Sequence, residues 1–372
     1  MKGIIVINKP SGISSNAVVT KAKRALGFKK IGHMGTLDPL AEGVLVLGVG
    51  KAARLFDFFL ENEKAYIATF EFGYETDTLD SEGEVIKKNG NIPTHEELKR
   101  VSKKLLGKIS QIPPIYSAKS IDGVRAYERA RRGEEFEVKP SEVEIYEIDV
   151  LVNGDGEIMG DAAFGVMKNT TTINVGACIA LPVTVAEDGN KGKQNNVGAG
   201  VPDRPNECFR AVNGRSWTPA PTTWQHSRPL DNQLSCRMGQ MDGGVGLFKM
   251  LIRCSKGTYI RSIGRDLAYL TNSYATMTKL IRTNCSGVSL DDAITIEELE
   301  DKKEKAIIPL EIALKNLPCY ELCHTYYSDL SHGKKIKSDY PHKKFTLYCK
   351  NELFGIATVD NECIKILTYL KD

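Results

Sequence analysis

The sequence contains 372 residues, and its 50 lysines and arginines against 47 aspartates and glutamates give a formal net charge of +3. A chain of this length can form two or three domains that each bury a core. It has no stretch of eighteen apolar residues, and the apolar run near its start spans only four residues. We therefore predict neither a transmembrane helix nor a signal peptide, and we expect a cytoplasmic protein.

The basic residues are concentrated near the start of the chain. Residues 1–60 carry nine lysines or arginines but only three acidic residues. This distribution suits binding to a phosphate backbone, although solvated helix faces give the same pattern.

The nine cysteines are odd in number and have no regular spacing. This predicts reduced thiols rather than a disulfide framework. Cys319, Cys323 and His324 lie close together in the sequence but lack a second pair of ligands with suitable spacing. We therefore predict no metal site.

Apolar spacing and turn residues predict the secondary structure in chain order. We expect strands at residues 3–7, 66–72, 143–152 and 247–254, and helices from Ser14 or Ser15 to Ala25 and over residues 96–106 and 259–270. Residues 76–83 are expected to form a polar turn. Strands and helices mix without a regular strand-helix-strand repeat, which predicts an α+β fold rather than a doubly wound one.

Residues 154–246 differ from their surroundings in composition. They hold both tryptophans (Trp217 and Trp224), fourteen of the 33 glycines and none of the fourteen tyrosines. Their periodicity is poor, so we expect a poorly ordered insertion. It could be an accessory RNA-binding module, a lineage-specific disordered loop, or translated mobile-element or intron sequence, and our hypothesis is the last of these. Such a segment is tolerable if both of its ends lie at an exposed hairpin tip.

The chain changes character again after about residue 310. Short apolar runs at residues 345–349, 353–359 and 363–370 are separated by Asn, Asp and Gly turns, and a basic stretch precedes them at residues 333–337. This pattern predicts a small β-rich domain over residues 316–372.

The most informative string is GHMGTLDPLAEG at residues 32–43. Asp38 could cap a helix that begins at Pro39, because proline is favoured at the first helical position. Alternatively, a carboxylate on a glycine-flanked loop in a basic segment could be a nucleophile or an acid–base group that faces an anionic substrate.

Four blocks of sequence resemble the bacterial tRNA pseudouridine-55 synthases, the TruB family, and occur in the family's order. They are NKPSGISS at residues 8–15, GHMGTLDPLAEG at residues 32–43, QIPPIYSA at residues 111–118 and SKGTYIR at residues 255–261. The resemblance implies a catalytic domain with a mixed, mainly antiparallel sheet and flanking helices. This domain would be formed by residues 1–153 and 247–315, and the last fifty or so residues resemble an RNA-binding domain of the PUA type.

The resemblance also implies the reaction: a uridine in the T loop of tRNA, at position 55, becomes pseudouridine without a cofactor. Asp38 would be the catalytic nucleophile or base, and Arg261 would lie beside it and keep it ionised. Tyr66 would stack on the target base or transfer a proton. Because C1′ and C5 cannot be reached in a stacked loop, the base must be extruded.

The remaining site residues follow from the same resemblance. His33 would hold the extruded base and Leu280 would line the uracil pocket. The expected phosphate contacts are Lys9, Lys21, Lys256 and Arg282, and Tyr259 is a further expected substrate contact.

Other functions are also compatible with parts of the sequence. Gly48-Val49-Gly50-Lys51 is followed by Ala52, where a phosphate-binding loop needs Ser or Thr, so we set aside nucleotide binding. A tRNA-binding folding factor, or the same chemistry on another RNA, stays open. We expect tRNA as the partner, no protein partner, and a monomer. The insertion lies close to Arg261 in sequence and could displace it, but we expect it to be tolerated.

Overall fold

A computed structural model of the protein describes residues 2–88, 91–117, 119–121, 123–151, 246–315 and 317–371. The first part of the described chain forms thirteen strands and seven α-helices. The strands are β1 (Gly3–Lys9), β2 (Ile31–His33), β3 (Glu42–Val49), β4 (Lys64–Phe72), β5 (Tyr74–Thr76), β6 (Val85–Lys88), β7 (Gly107–Gln111), β8 (Ser120–Ile121), β9 (Val124–Arg125), β10 (Ser141–Val150), β11 (Gly246–Cys254), β12 (Ala275–Cys285) and β13 (Val288–Ser289). The helices are α1 (Ser15–Leu26), α2 (Phe56–Glu61), α3 (His95–Ser102), α4 (Ala126–Arg131), α5 (Ile260–Leu270), α6 (Ile296–Lys302) and α7 (Leu310–Ala313).

Nine of these strands form one large mixed sheet. Its central path runs β1-β3-β12-β4-β11-β10-β7, with β2 paired to β3 and β13 paired to β12. Among the described strands of this sheet, β3 and β12 are parallel and the other neighbours are antiparallel. The predicted α+β fold with a mixed, mainly antiparallel sheet and flanking helices is thus confirmed.

The two faces of the large sheet bury separate sets of side chains, as the alternation along β1 shows. Ile5 and Ile7 pack with apolar residues of α1, α3, α5 and α6. Ile4 and Val6 point to the other face, where they pack with α7 and with Leu353 of the second sheet. The second sheet therefore shares a hydrophobic core with the first.

The second sheet has four strands in the order β14-β15-β16-β17. The elements of this region are β14 (Cys319–Leu322), α8 (Tyr327–Ser331), β15 (Phe345–Cys349), β16 (Glu352–Asp360) and β17 (Cys363–Tyr369). The β-rich character predicted for the end of the chain is confirmed, because the three apolar runs became β15, β16 and β17.

The start of α1 follows the prediction. The Ser14 hydroxyl accepts a hydrogen bond from the Ala17 amide at 3.1 Å, and Gly27 ends the helix with a φ of 61°. A helix beginning at Pro39 does not form, so the helix-cap interpretation of Asp38 was wrong. Residues 38–41 are a loop that leads into β3, and the apolar residues of β3 are buried in the sheet.

The segment 152–245 joins two strands that are direct neighbours. Val150 of β10 lies opposite Met250 of β11, and the Leu151 amide donates to the Lys249 carbonyl at 2.8 Å. Apart from Gly246, the predicted insertion lies outside the described residues. Both of its ends leave from the same end of an antiparallel pair.

No helix of the described residues is long and apolar enough to cross a membrane.

Candidate active site

Asp38 lies on a loop that is held in place by Ser11 and by Ser15, the first residue of α1. The Ser15 hydroxyl both donates to the Leu37 carbonyl and accepts from the Leu37 amide, each at 2.9 Å. On the other side of Asp38, the Ser11 hydroxyl donates to the Leu40 carbonyl at 2.8 Å. The first two sequence blocks therefore form one structure that fixes the backbone on both sides of Asp38.

Lys9 supports the same loop through its buried side chain. Its side chain is fully buried, and its ammonium group donates to the carbonyls of Pro10, Pro39 and Ala41 at 2.9, 3.1 and 2.6 Å. Burial lowers the pKa of Lys9 to about 8. The prediction that Lys9 contacts a phosphate was wrong, because its three N–H groups are used within the protein.

Arg261 joins the Asp38 loop to two other segments. Its Nη2 lies 3.2 Å from Asp38 Oδ2 and donates to the Tyr116 carbonyl at 3.0 Å. Its Nη1 lies 3.0 Å from Asp80 Oδ2 and donates to the Thr78 carbonyl at 2.9 Å. The arginine side chain is 9% exposed, whereas that of Asp38 is 41% exposed. A buried guanidinium thus orients a carboxylate that solvent can reach.

Asp80 is a site residue that the sequence analysis missed. It lies in the polar turn at residues 76–83, which was predicted without a role. The Thr78 hydroxyl and the Glu82 amide both donate to Asp80 Oδ1, at 2.6 and 3.1 Å, so its second oxygen is left for Arg261. The sequence offered one signal for this role, an aspartate in a turn rich in hydroxyl groups. The contact with α5 could not be predicted, because it depends on the fold.

The first turns of helix α5, which carry Arg261, are held in place by contacts with Gln111 and with β4. The Gln111 side chain accepts from the Tyr259 amide at 2.9 Å and donates to the Tyr259 carbonyl at 3.2 Å. On the sheet side, a β-carbon added to Gly264 would lie 2.4 Å from the ring of Phe70. Because Gly264 has no side chain, the helix can approach β4 closely.

Tyr66, Leu280 and Arg282 share one face of the sheet. Tyr66 lies opposite Arg282 in the pairing of β4 with β12, and Leu280 lies opposite Ala68. Burial raises the pKa of Tyr66, so its hydroxyl stays protonated. Tyr66 and Leu280 are both more than nine-tenths buried. They lie on the adjacent strands β4 and β12, and β12 also pairs with β3, the strand that follows the Asp38 loop.

Arg282 is a second residue for which the phosphate prediction was wrong. It is 2% exposed, and its Nε donates to the Val44 carbonyl at 2.8 Å. Its Nη1 and Nη2 donate to the carbonyls of Thr36 and Gly35, each at 3.3 Å. Arg282 therefore supports the loop that precedes Asp38 and is not accessible to RNA.

The other predicted contacts differ in exposure. His33 is half-buried, its Nδ1 has no hydrogen-bond partner within the described structure, and burial together with the Arg282 charge lowers its pKa. Tyr259 is partly buried, whereas Lys21 and Lys256 are exposed. The described residues contain no group of three or more His, Cys, Asp or Glu side chains placed to bind a metal ion.

Comparison with known proteins gives the family. The profile described as "TruB family pseudouridylate synthase (N terminal domain)" matches residues 23–166. The tRNA pseudouridine synthase B of Trichormus variabilis is 30% identical over 342 residues, which cover 91% of this chain and 86% of that protein. The chain belongs to the TruB family.

Two further TruB proteins show how the similarity is distributed. That of Francisella philomiragia is 47% identical over 153 residues, which cover 41% of this chain and 51% of that protein. That of Caldanaerobacter subterraneus is 28% identical over 368 residues, covering 98% of this chain and 97% of that protein. The short match at high identity and the long match at lower identity are thus both to proteins of the same family.

Solved structures support the fold. The chain matches the "Structure of H/ACA RNP bound to a substrate RNA containing 2'-deoxyuridine" with a TM-score of 0.57 at 17% identity, covering all of this chain and 85% of that one. It also matches the "Crystal Structure of a Cbf5-Nop10-Gar1 Complex" with a TM-score of 0.56 at 19% identity, covering all of this chain and 84% of that one. At these identities the likeness concerns the fold alone.

Proposed function

We propose that this TruB protein isomerises a uridine of tRNA to pseudouridine, and that the uridine is position 55 in the T loop. The observation that carries the proposal is the pairing of the exposed carboxylate of Asp38 with the buried guanidinium of Arg261 at 3.2 Å. The names of the relatives supply the tRNA substrate.

The reaction rearranges atoms without loss or gain. The C1′–N1 bond breaks, the uracil rotates, a C1′–C5 bond forms, and a proton leaves C5 while N1 gains one. Asp38 acts as the nucleophile or as the base, and Arg261 keeps it oriented. Because the loop around Asp38 is fixed by backbone hydrogen bonds, the carboxylate needs little reorganisation during the reaction.

The pocket for the base would lie beside this carboxylate. We propose that Tyr66 stacks on the extruded uracil or gives it a proton, which fits a phenol that stays protonated. Leu280 would contribute an apolar wall, and His33 would contact the base from β2. Stacking on an aromatic ring offsets part of the few kcal/mol that unstacking costs.

The proposal also covers the organisation of the whole protein. Residues 1–153 and 247–315 would form the catalytic domain, residues 154–246 an insertion, and residues 316–372 a PUA-like RNA-binding domain. Lys21, Lys256 and Tyr259 would contact the RNA. We further propose that the protein acts in the cytoplasm as a monomer.

The experiment is to incubate the full-length chain with an unmodified tRNA transcript and to map pseudouridine by position. A matched transcript carries cytidine in place of uridine 55. Conversion at position 55 of the first transcript and none in the second supports the proposal. Binding of the transcript without conversion would instead favour the folding factor, and conversion elsewhere would refute the proposed position.

A further inference from the structure

Glu61, the last residue of α2, contacts a lysine on either side. Its Oε2 accepts a hydrogen bond from Lys344 Nζ at 2.6 Å, and its Oε1 lies 4.0 Å from Lys256 Nζ. Lys344 directly precedes β15 of the second sheet, and Lys256 lies between β11 and α5, five residues before Arg261. The two lysines thus lie next to strands of different sheets and share one carboxylate.

The backbone that carries Glu61 is fixed to the large sheet. The buried ammonium group of Lys64 donates to the carbonyls of Leu60 and Asn62, each at 2.5 Å. Two residues after Glu61, the carboxylate of Glu63 accepts a hydrogen bond from Arg253 of β11 at 2.6 Å. Glu61 therefore holds the two lysine side chains from a stable position.

The three side chains are about half exposed, so their ion pairs contribute little to stability. The hydrogen bond and the charge of Lys344, with the charge of Lys256, lower the pKa of Glu61, which therefore stays ionised at neutral pH. The group keeps a net charge of +1. A phosphodiester, like this carboxylate, presents two oxygens that share one negative charge.

We propose that Lys256 and Lys344 together bind one backbone phosphate of the RNA, and that Glu61 competes with this phosphate for the two lysines. The inference rests on the proposed function only in taking RNA as the substrate. It adds Lys344, which precedes the second sheet, to the RNA contacts that include Lys256, and it gives Glu61 a role that opposes binding. One phosphate would thereby connect the two sheets.

The test is the affinity of full-length variants for a labelled tRNA transcript, measured over a range of salt concentrations. The variants are Lys256→Gln, Lys344→Gln and Glu61→Gln, with Lys302→Gln as the matched control. Lys302 is an exposed lysine at the end of α6 that pairs with Glu298 at 3.6 Å. Thermal melts of each variant check that the substitutions of these exposed residues leave the fold intact.

Both lysine variants should bind more weakly and lower the slope of log affinity against log salt by about 0.8, the effect of one lost phosphate contact. Glu61→Gln should bind more tightly than the wild type at low salt, and this gain should disappear when Lys344→Gln is added. The inference is overturned if the two lysine variants match Lys302→Gln, or if Glu61→Gln binds no more tightly than the wild type.

A conversion assay on the same wild-type sample separates this inference from the proposed function. If the wild type binds tRNA but converts no uridine, the proposed function fails, and the salt slopes still decide the inference. If the wild type converts uridine while the lysine variants keep the wild-type slope, the inference alone fails.

Discussion

At the scale of single residues, the site depends on how Arg261 is held. Its guanidinium donates to two carbonyls and contacts two carboxylates, and of the two carboxylates only that of Asp38 is substantially exposed. Asp80 is buried and uses its other oxygen within its own turn. Arg261 is therefore positioned by Asp80, and Asp38 is positioned by Arg261.

Replacing Asp80 with asparagine tests whether Asp80 positions Arg261 and, through it, Asp38. The neutral side chain keeps the shape but weakens the attraction that fixes Arg261, and a misplaced guanidinium lets the Asp38 carboxylate shift. We expect kcat to fall by about 100-fold, since displacement of a catalytic group by about 1 Å can cost that much. Single-turnover conversion of tRNA measures the loss.

The control for Asp80 is Asp360→Asn, which removes an exposed ion pair with Lys365 in the second sheet. This variant should convert tRNA at the wild-type rate. Equal rates for Asp80→Asn and the control would show that Arg261 does not need Asp80.

His33 gives a pH-dependent contribution to stability. Burial and Arg282 lower its pKa below the ordinary value of 6.5, so the unfolded chain binds the proton more readily than the folded chain. Stability should therefore fall as the pH drops below 6.5 and should level off below the folded pKa. Asparagine at this position removes the effect.

Urea unfolding without RNA, at pH 7 and pH 5, measures this contribution. The wild type should lose more stability between the two pH values than His33→Asn does. If both proteins lose the same amount, the histidine is not in the environment described.

At the scale of elements, the packing of α5 on β4 sets where Arg261 can reach. The helix passes so close to the sheet that a methyl group at Gly264 would overlap the Phe70 ring. Gly264→Ala should cost about 1 to 3 kcal/mol of stability, as overpacking typically does, and should also lower the conversion rate by moving Arg261.

A second substitution, at Phe70, tests whether the loss in Gly264→Ala comes from contact with this ring. Phe70→Leu removes the part of the ring that the new methyl group would meet, so the double variant should recover part of the conversion rate lost by Gly264→Ala. If Gly264→Ala alone leaves both stability and rate unchanged, the close contact does not position the helix.

Some elements with a plain pattern could be predicted from the sequence, whereas strand β12, whose pattern is broken, could not. The N-cap of α1 and the three strands at the end of the chain follow from serine capping and from apolar runs bounded by turns. Strand β12 was missed because it contains two register shifts and polar residues such as Lys279 and Asn284 within a central strand. Tertiary pairing decides such a strand.

The same distinction explains which site residues could be predicted. Asp38 and Arg261 were indicated by sequence blocks that resemble a family, and the structure brings their side chains together. The burial of Lys9 and Arg282 could not be deduced, because a basic residue in a basic segment looks like a phosphate contact until its carbonyl acceptors are known.

At the scale of the whole molecule, the segment 152–245 connects β10 and β11, which pair directly with each other. The pairing of β11 with β4 continues to Gly246, and Arg261 still contacts Asp38 and Asp80. The length of the segment is therefore compatible with an intact site.

Replacing residues 154–244 with a short glycine- and asparagine-containing turn should consequently preserve function. The flanking strands already pair, and closing them with a shorter loop costs less entropy. We expect the shortened chain to convert tRNA within about threefold of the full-length rate, since loop length affects closure only logarithmically. A well-folded shortened chain that has lost conversion would show that the segment contributes to function.

The most direct test of the account is single-turnover conversion of tRNA by Asp38→Asn beside the wild type, together with tRNA affinity. Asparagine keeps the size of the side chain and removes its charge. Glu42→Gln is the matched control, because Glu42 is a nearby carboxylate that pairs with Lys279 at 3.8 Å. We predict that Asp38→Asn binds tRNA like the wild type but converts it at least about 100-fold more slowly, while Glu42→Gln converts it normally. Conversion by Asp38→Asn at the wild-type rate would contradict the account.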